Sequence, residues 1–320
     1  MKLTKKFALV LAAILVMMAV LTGCGGAEKA STEGLTIGVL KGPTALGAVK
    51  IIDNKDAYAG VEIIAAPEDM SAKFIKGEVD IAAVPTNLAG VLYNRTEGKA
   101  KVIAINTLGV LYILSSDENV KTMEDLRGKT IVTSGKGSAP EYILNDLLNK
   151  NGLTPGEDVT VDYRSEHSEV ASLAVAGKAD VIMVPEPFVT SITAKSEAMK
   201  VAVNMTEAWK AVNGDVPLVM GCLIAGADVE DAVIDAFLTE YEASIKFANE
   251  SIDETAAIIG EAGIMDAGVV KKALPRCNIV YLDGAEMKSA METFLTALHE
   301  ANPKSVGGKL PGADFYYGAE

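Results

Sequence analysis

A pattern of nine residues occurs twice, one hundred positions apart. Gly77-Glu78-Val79-Asp80-Ile81-Ala82-Ala83-Val84-Pro85 returns as Gly177-Lys178-Ala179-Asp180-Val181-Ile182-Met183-Val184-Pro185. Each copy reads as a helix end closed by glycine, an acid, a short apolar strand and a turn stopped by proline. A second echo lies upstream of each. Leu35 to Gly42 and Lys129 to Gly137 are both strands that run into a glycine-containing loop, followed by a helix-compatible segment. Two α/β units of one plan predict two lobes with a cleft between them, and 320 residues suffice for two separate cores.

The rest of the chain fits this rhythm. Strands are expected over 35–40, 61–66, 81–84 and 101–106, and again over 130–133, 159–163, 181–184 and 199–203. Helical spacing follows most of them, for example over 44–54, which argues for mostly parallel sheets. Two longer apolar runs interrupt the pattern, Leu108 to Ser115 and Val216 to Ala225. We read them as the chain crossing into the second lobe and returning. Residues 209–215 read as loop, the chain from 229 to 300 as mainly helical, and 305–320 as a surface-hugging tail. The expected division is a signal peptide over 1–23, a flexible tether over 24–34, lobe I over 35–110 plus 222–320, and lobe II over 111–221.

Met1 to Lys6 is basic, and Phe7 to Leu21 is apolar but shorter than the ~20 residues a spanning helix needs. The run ends in Leu21-Thr22-Gly23-Cys24, the order of a bacterial lipobox. Cys24 is therefore the expected lipidation site, and the protein is expected to be exported and held by lipid on the outer face of the cytoplasmic membrane. An ordinary signal peptide, or an anchor helix that contains a cysteine, is the alternative. Cys222 and Cys277 are too few for a disulfide framework, leaving two buried thiols or one bond. The net charge is −14, or −17 once the three N-terminal lysines are set aside. Such a surface repels nucleic acid and anionic headgroups, and both are excluded as partners.

A family resemblance rests on several of these features together. The lipobox, the two α/β lobes, the two crossings, Asp125-Leu126-Arg127-Gly128-Lys129 before a lobe II strand, and Gly177-x-x-Asp180 with Pro185-Glu186-Pro187 occur in order. The chain resembles the type II solute-binding lipoproteins of ABC importers, in the group that includes sulfonate, nitrate and thiamine-precursor binders. The resemblance implies a two-lobe periplasmic-binding-protein-like α/β fold with the crossing strands as hinge, an ABC permease as partner, and a monomer. Lys41-Gly42-Pro43-Thr44 departs from the loop expected of those members, so ligand identity does not carry over.

In open α/β sheets ligands bind beyond the carboxyl ends of the strands. In lobe I those ends offer Lys41, Pro43, Thr44, Thr86, Asn87 and Thr107; in lobe II they offer Ser134, Gly137, Ser138, Glu186 and Phe188. Gly221, on the return run, would let backbone approach a ligand. Several of these positions begin helices, where free N–H groups and the helix dipole favour an anion. Each also has a plainer reading. Thr44, Thr86 and Asn87 serve equally as helix caps, Glu186 either accepts from a ligand amine or ties two loops together, and Phe188, Tyr112 and Tyr142 wall a pocket or fill core. His167 reads as an exposed helix-start residue, with a place in the cleft as the alternative.

Lys136-Gly137-Ser138 lacks the upstream glycine spacing of a phosphate-binding loop, and the two histidines have no metal-ligand context. No cofactor and no metal are expected. The leading reading is a binding protein for a small organic acid or sulfonate, aromatic members included. A neutral vitamin-precursor heterocycle is the alternative ligand, and an exported enzyme or sensor on the same fold the alternative class.

Overall fold

The computed structural model describes residues 30–214 and 216–319. Cys24 and the expected signal segment lie outside them. The strands are β1 (Thr36–Leu40), β2 (Gly60–Ile64), β3 (Ile81–Pro85), β4 (Ala100–Leu108), β5 (Leu111–Ser115), β6 (Thr130–Ser134), β7 (Thr160–Arg164), β8 (Val181–Pro185), β9 (Lys200–Asn204), β10 (Val219–Gly226) and β11 (Ile279–Leu282). The helices are α1 (Val49–Asp53), α2 (Pro67–Ile75), α3 (Thr86–Arg95), α4 (Ala139–Lys150), α5 (His167–Val175), α6 (Phe188–Thr193), α7 (Met205–Asn213), α8 (Asp231–Glu250), α9 (Ile252–Glu261), α10 (Ala267–Ala273) and α11 (Gly284–Ala301).

Two sheets result, in the orders β11-β4-β10-β3-β1-β2 and β7-β6-β8-β5-β9. They are built alike. β3 and β8 each pair in parallel with the strand that opens their unit and antiparallel with a crossing strand, β10 for β3 and β5 for β8. The duplicated sequence accounts for this. Gly77 (φ 70°) and Gly177 (φ 66°) adopt the left-handed conformation that closes α2 and α5, where a Cβ would be strained. The Asp80 carbonyl accepts from Gly226 N–H and the Asp180 carbonyl from Ser116 N–H, both at 2.9 Å, so each acid sits where its strand joins the crossing strand. This is the two-lobe α/β architecture with crossing strands that the repeat predicts.

Several local expectations are corrected. Residues 43–54 are a 3-10 turn (Pro43–Ala48) followed by the single turn of α1. Ala45, Leu46, Gly47 and Ala48 are all buried, so packing dictates that tight geometry. Residues 209–213 are not loop: α7 buries Trp209 against Phe294, with ring centroids 5.9 Å apart, and Asn204 caps it through Thr206 N–H. β10 pairs with the first sheet from Val219 onward, ahead of the boundary expected at 222. Asp125, in the Asp-Leu-Arg-Gly-Lys stretch, accepts from the Lys121 and Thr122 amides, which hold its carboxyl below the usual range. Arg127 pairs with Asp158 and donates to the Gly152 carbonyl. That stretch braces the start of β6, the end opposite the expected site. Among the described residues no helix is long and apolar enough to cross a membrane.

Candidate functional site

The carboxyl ends of the parallel strands in both lobes meet at the first crossing. Val219 pairs with Leu108 on one side of it, and Leu111 pairs with Pro185 on the other. Residues placed just beyond those ends therefore gather from both lobes.

In lobe I, Gly221 is the centre. It pairs with Pro85 of β3 and Thr107 of β4, so the strand ends close around it. A Cβ there would lie 2.7 Å from both Asn106 Oδ1 and Thr44 Cγ2, closer than real Cβ contacts allow. The structure thus brings together Thr44, Thr107 and Gly221 of the expected set and adds Asn106, which sequence reasoning missed. Asn106 and Thr107 are 1% exposed and linked: Thr107 Oγ1 donates to Asn106 Oδ1 and Asn106 Nδ2 donates to the Tyr241 hydroxyl, both at 3.0 Å. Thr107 spends its proton inside this relay and supports the site wall. Thr86 is the first residue of α3 and is fully buried. Its hydroxyl lies beside the Cys222 thiol and makes no hydrogen bond of good geometry.

In lobe II, Ser134 ends β6 and is 2% exposed. Its Oγ lies 2.5 Å from Nδ1 of His167, the first residue of α5, and the imidazole packs 5.4 Å from the Phe188 ring that begins α6. Enclosure between these groups lowers the His167 pKa from 6.5 to about 4. At neutral pH the ring is uncharged. The expectation of an exposed helix-start histidine is thereby corrected: His167 starts a helix, but its ring faces inward onto Ser134. Tyr112, on β5 beside β8, is buried, and burial followed by the nearby Glu186 charge raises its phenol pKa.

Other expected residues are committed elsewhere. Glu186 is fully buried, and both carboxylate oxygens already accept hydrogen bonds. Thr190 N–H donates to Oε2 at 3.1 Å, while Thr190 Oγ1 at 3.2 Å and Arg276 Nε at 2.6 Å donate to Oε1. The loop-tying alternative describes it. Arg276, a lone arginine in Leu274-Pro275-Arg276-Cys277, carries no sequence signal for this role. Asn87 Nδ2 donates to the Ser305 carbonyl at 3.4 Å, within lobe I. Lys41 Nζ donates to the Gly263 carbonyl at 3.3 Å, and Pro43 opens the 3-10 turn. The Gly137 amide donates to Glu141, and Ser138 Oγ to the Gly135 carbonyl, each at 2.5 Å. A surface depression of about 590 Å³ between α4 and α11 is lined by Tyr142, Asn145, Lys150, Ala297 and Asn302 among others, and takes in none of these strand-end residues.

Among the described residues Cys222 and Cys277 are buried free thiols, and no group of acids, histidines and cysteines could hold a metal ion. The Ser134–His167 pair has the look of a nucleophile and base, yet no carboxylate hydrogen-bonds to His167 among the described residues. A ring with a pKa near 4 is also a weak base for activating a hydroxyl.

Comparison with known proteins gives the family and the fold. The family described as the phosphonate-binding periplasmic substrate-binding proteins of ABC transporters matches residues 59–271. The chain belongs to that family. An ABC transporter protein from Parabacteroides distasonis shares the fold with a TM-score of 0.77 at 26% identity, over 88% of this chain and 98% of that one. The periplasmic aliphatic sulphonate-binding protein of Escherichia coli has a TM-score of 0.70 at 16% identity, over 88% and 98% of the two chains. The periplasmic nitrate-binding protein of a Synechocystis strain has a TM-score of 0.60 at 14% identity, over 86% and 84%. At those lower identities the likeness is one of fold. A Brucella abortus relative, whose name calls it a binding protein without naming a ligand, is 31% identical over 103 residues, and the matched stretch covers 31% of its length.

Proposed function

We propose that this family member is an exported solute-binding lipoprotein, lipidated at Cys24, that captures a small organic acid of the phosphonate or sulfonate class between its lobes and delivers it to an ABC permease. The observation that carries the ligand class is the donor set at the strand ends, which is polar and uncharged. Ser134 with neutral His167 supplies lobe II; the unpartnered Thr86 hydroxyl supplies lobe I. With Nδ1 accepting from Ser134, the imidazole carries its proton on Nε2 and is left with one N–H to donate. The N-termini of α3 and α4 lie at the same strand ends and add positive dipole, and Lys41 and Lys136 follow the ends of β1 and β6. Glu186, the acid that would oppose an anion, is neutralised by Arg276. Binding through aligned dipoles stabilises an oxyanion.

Phe188, half-buried against His167, keeps one second reading in play, a flat neutral heterocycle stacked on that wall. Thermal-shift titration of the detergent-solubilised full chain with methylphosphonate, ethanesulfonate, benzoate, a methylated aminopyrimidine and ethylamine separates the readings. A selective ligand stabilises by RT ln(1 + [L]/Kd), about 2.7 kcal/mol at a hundredfold excess over Kd. A shift with phosphonate or sulfonate and none with the amine is expected. A response to the pyrimidine alone replaces the acid reading with the heterocycle, and turnover of any bound compound overturns the transport reading.

A further inference from the structure

Arg276 belongs to lobe I by packing: Val270, Ala273, Leu274 and Cys277 are buried in one core with Leu35, Ile37 and Phe237. Glu186 and Thr190 belong to lobe II, where Val189 and Ile192 are buried with Leu114, Val132 and Val184. The guanidinium nevertheless makes its bonds in lobe II. Nε lies 2.6 Å from Glu186 Oε1, and Nη2 lies 2.6 Å from both Glu186 Oε1 and Thr190 Oγ1. Glu186 is fully buried while the Arg276 side chain is 45% exposed, so the arginine covers an acid that has no route to water.

The same short segments also hold the first crossing. Leu108 N–H donates to the Asn278 carbonyl at 3.0 Å, Asn278 Nδ2 donates to the Gly109 carbonyl, and Glu186 N–H donates to the Val110 carbonyl at 2.9 Å. Three successive residues of the crossing are therefore bonded to the segments that carry the clasp. Asn278 adopts a left-handed φ of 45°, a conformation asparagine tolerates better than most residues, and from it reaches the crossing on two sides.

We propose that Arg276 is the positioning residue of the binding cleft: by clasping Glu186 and Thr190 beside the Leu108–Val110 crossing it fixes the axis about which the two lobes open and close. A planar fork that grips a carboxylate and a hydroxyl at once resists twisting, whereas a point charge does not. The buried carboxylate makes the grip exclusive, since Glu186 has no other cation among the described residues and cannot turn to solvent. Residues of both lobes also share one core cluster, in which Trp209 of α7 packs on Phe294 of α11, so the lobes stay joined when the clasp is lost and the effect falls on how sharply their relative orientation is held. The inference does not depend on the ligand class.

Paired spin labels at Glu68→Cys and Ser165→Cys, exposed positions after β2 and β7 at the outer edges of the two sheets, report the interlobe distance in the full chain in detergent. Cys222 and Cys277 are buried, and mass spectrometry of the parent chain treated with the label checks that Cys24, the third cysteine, takes up none. The parent protein should give one narrow distance distribution. Arg276→Met and Glu186→Gln should each broaden it or add a second population, and the double variant should be no broader than either single one, because both remove the same grip. Fluorescence from the chain's single tryptophan, Trp209, and cooperative unfolding check that each variant is folded. Should Arg276→Met fail to fold, Arg276→Lys keeps the charge without the fork, and the same broadening is expected of it. Distributions unchanged from the parent in folded variants, or broadening that adds in the double variant, overturn the proposal.

Discussion

Ser134 Oγ and His167 Nδ1 lie 2.5 Å apart, joining the end of β6 to the start of α5. Desolvation in this enclosed position keeps His167 neutral at pH 7, and folding therefore depends on pH. Its pKa is depressed from 6.5 to about 4, so below pH 6.5 the unfolded chain binds a proton that the folded chain refuses. The stability that neutral His167 contributes is complete above pH 6.5 and is lost as pH falls through about 4. Its size is roughly 3 kcal/mol at 1.36 kcal/mol per unit. Urea unfolding at pH 7 and pH 4.5 should show this loss, and His167→Gln should flatten the difference between the two. An equal slope in the variant would assign the pH dependence to other groups.

Thr86 combines a cost with a use. Its hydroxyl is buried without a hydrogen bond, and an unsatisfied buried polar group costs roughly 1–3 kcal/mol. Thr86→Val should therefore leave the free protein as stable as before, or raise its unfolding free energy by about 1 kcal/mol. If the hydroxyl is held for a ligand oxyanion, the same change weakens binding of the acid by roughly 1.5–3 kcal/mol, the range for hydrogen bonds to charged groups. Calorimetric titration next to chemical unfolding separates the two effects. Loss of stability with unchanged affinity would mark Thr86 as a core residue only.

Gly221 has no room for a methyl group. With Asn106 Oδ1 and Thr44 Cγ2 both 2.7 Å from the Cβ position, Gly221→Ala forces the Asn106–Thr107 relay or the Thr44 side chain to move. Overpacking of this kind costs about 1–3 kcal/mol. The variant should unfold at a lower urea midpoint and bind ligand weakly. Unchanged affinity would place the ligand away from β10.

Gly109 is tighter still. A Cβ there would fall 2.0 Å from Thr206 Oγ1 and 3.1 Å from Leu218 Cδ2, so α7 and the return run press directly on the crossing. Gly109→Ala should be among the most damaging single substitutions in the chain, and Thr206→Ala should recover part of the loss. A double-mutant cycle measured by urea unfolding should show that coupling, since contacting pairs interact by roughly 0.5–3 kcal/mol. Strict additivity would mean that the crossing relaxes away from α7.

The architecture was readable because the duplicated stretch carries local signals: a left-handed glycine, an acid and an apolar strand recur with the same consequences at Gly77 and Gly177. Strand ends were readable for the same reason, and Thr44, Thr107 and Gly221 do gather where topology sends them. What sequence could not show is which polar groups are already spoken for. Glu186 and Asn87 look available along the chain, yet their partners are Arg276 and Ser305, far away in sequence and brought near only by tertiary packing. His167 was misplaced because its surroundings, Glu166 and Ser168, are exposed, while its own ring turns inward. Helix α7 was missed since its short amphipathic stretch gains its stability from Trp209 packing on Phe294.

The position of β10 bears on how the chain is assembled. It lies between β3 and β4 in the first sheet, but it is made long after both, once all five strands of the second sheet have been completed. Lobe II can pair its strands from one continuous stretch. Lobe I must wait with a strand-wide gap and two unpaired edges, which are sticky to any extended chain nearby. A polypeptide threaded through a membrane from its N-terminus would present that gap for the whole time lobe II is being delivered. The interval before β10 inserts is thus one in which the unpaired edges of β3 and β4 are open to pairing with another chain.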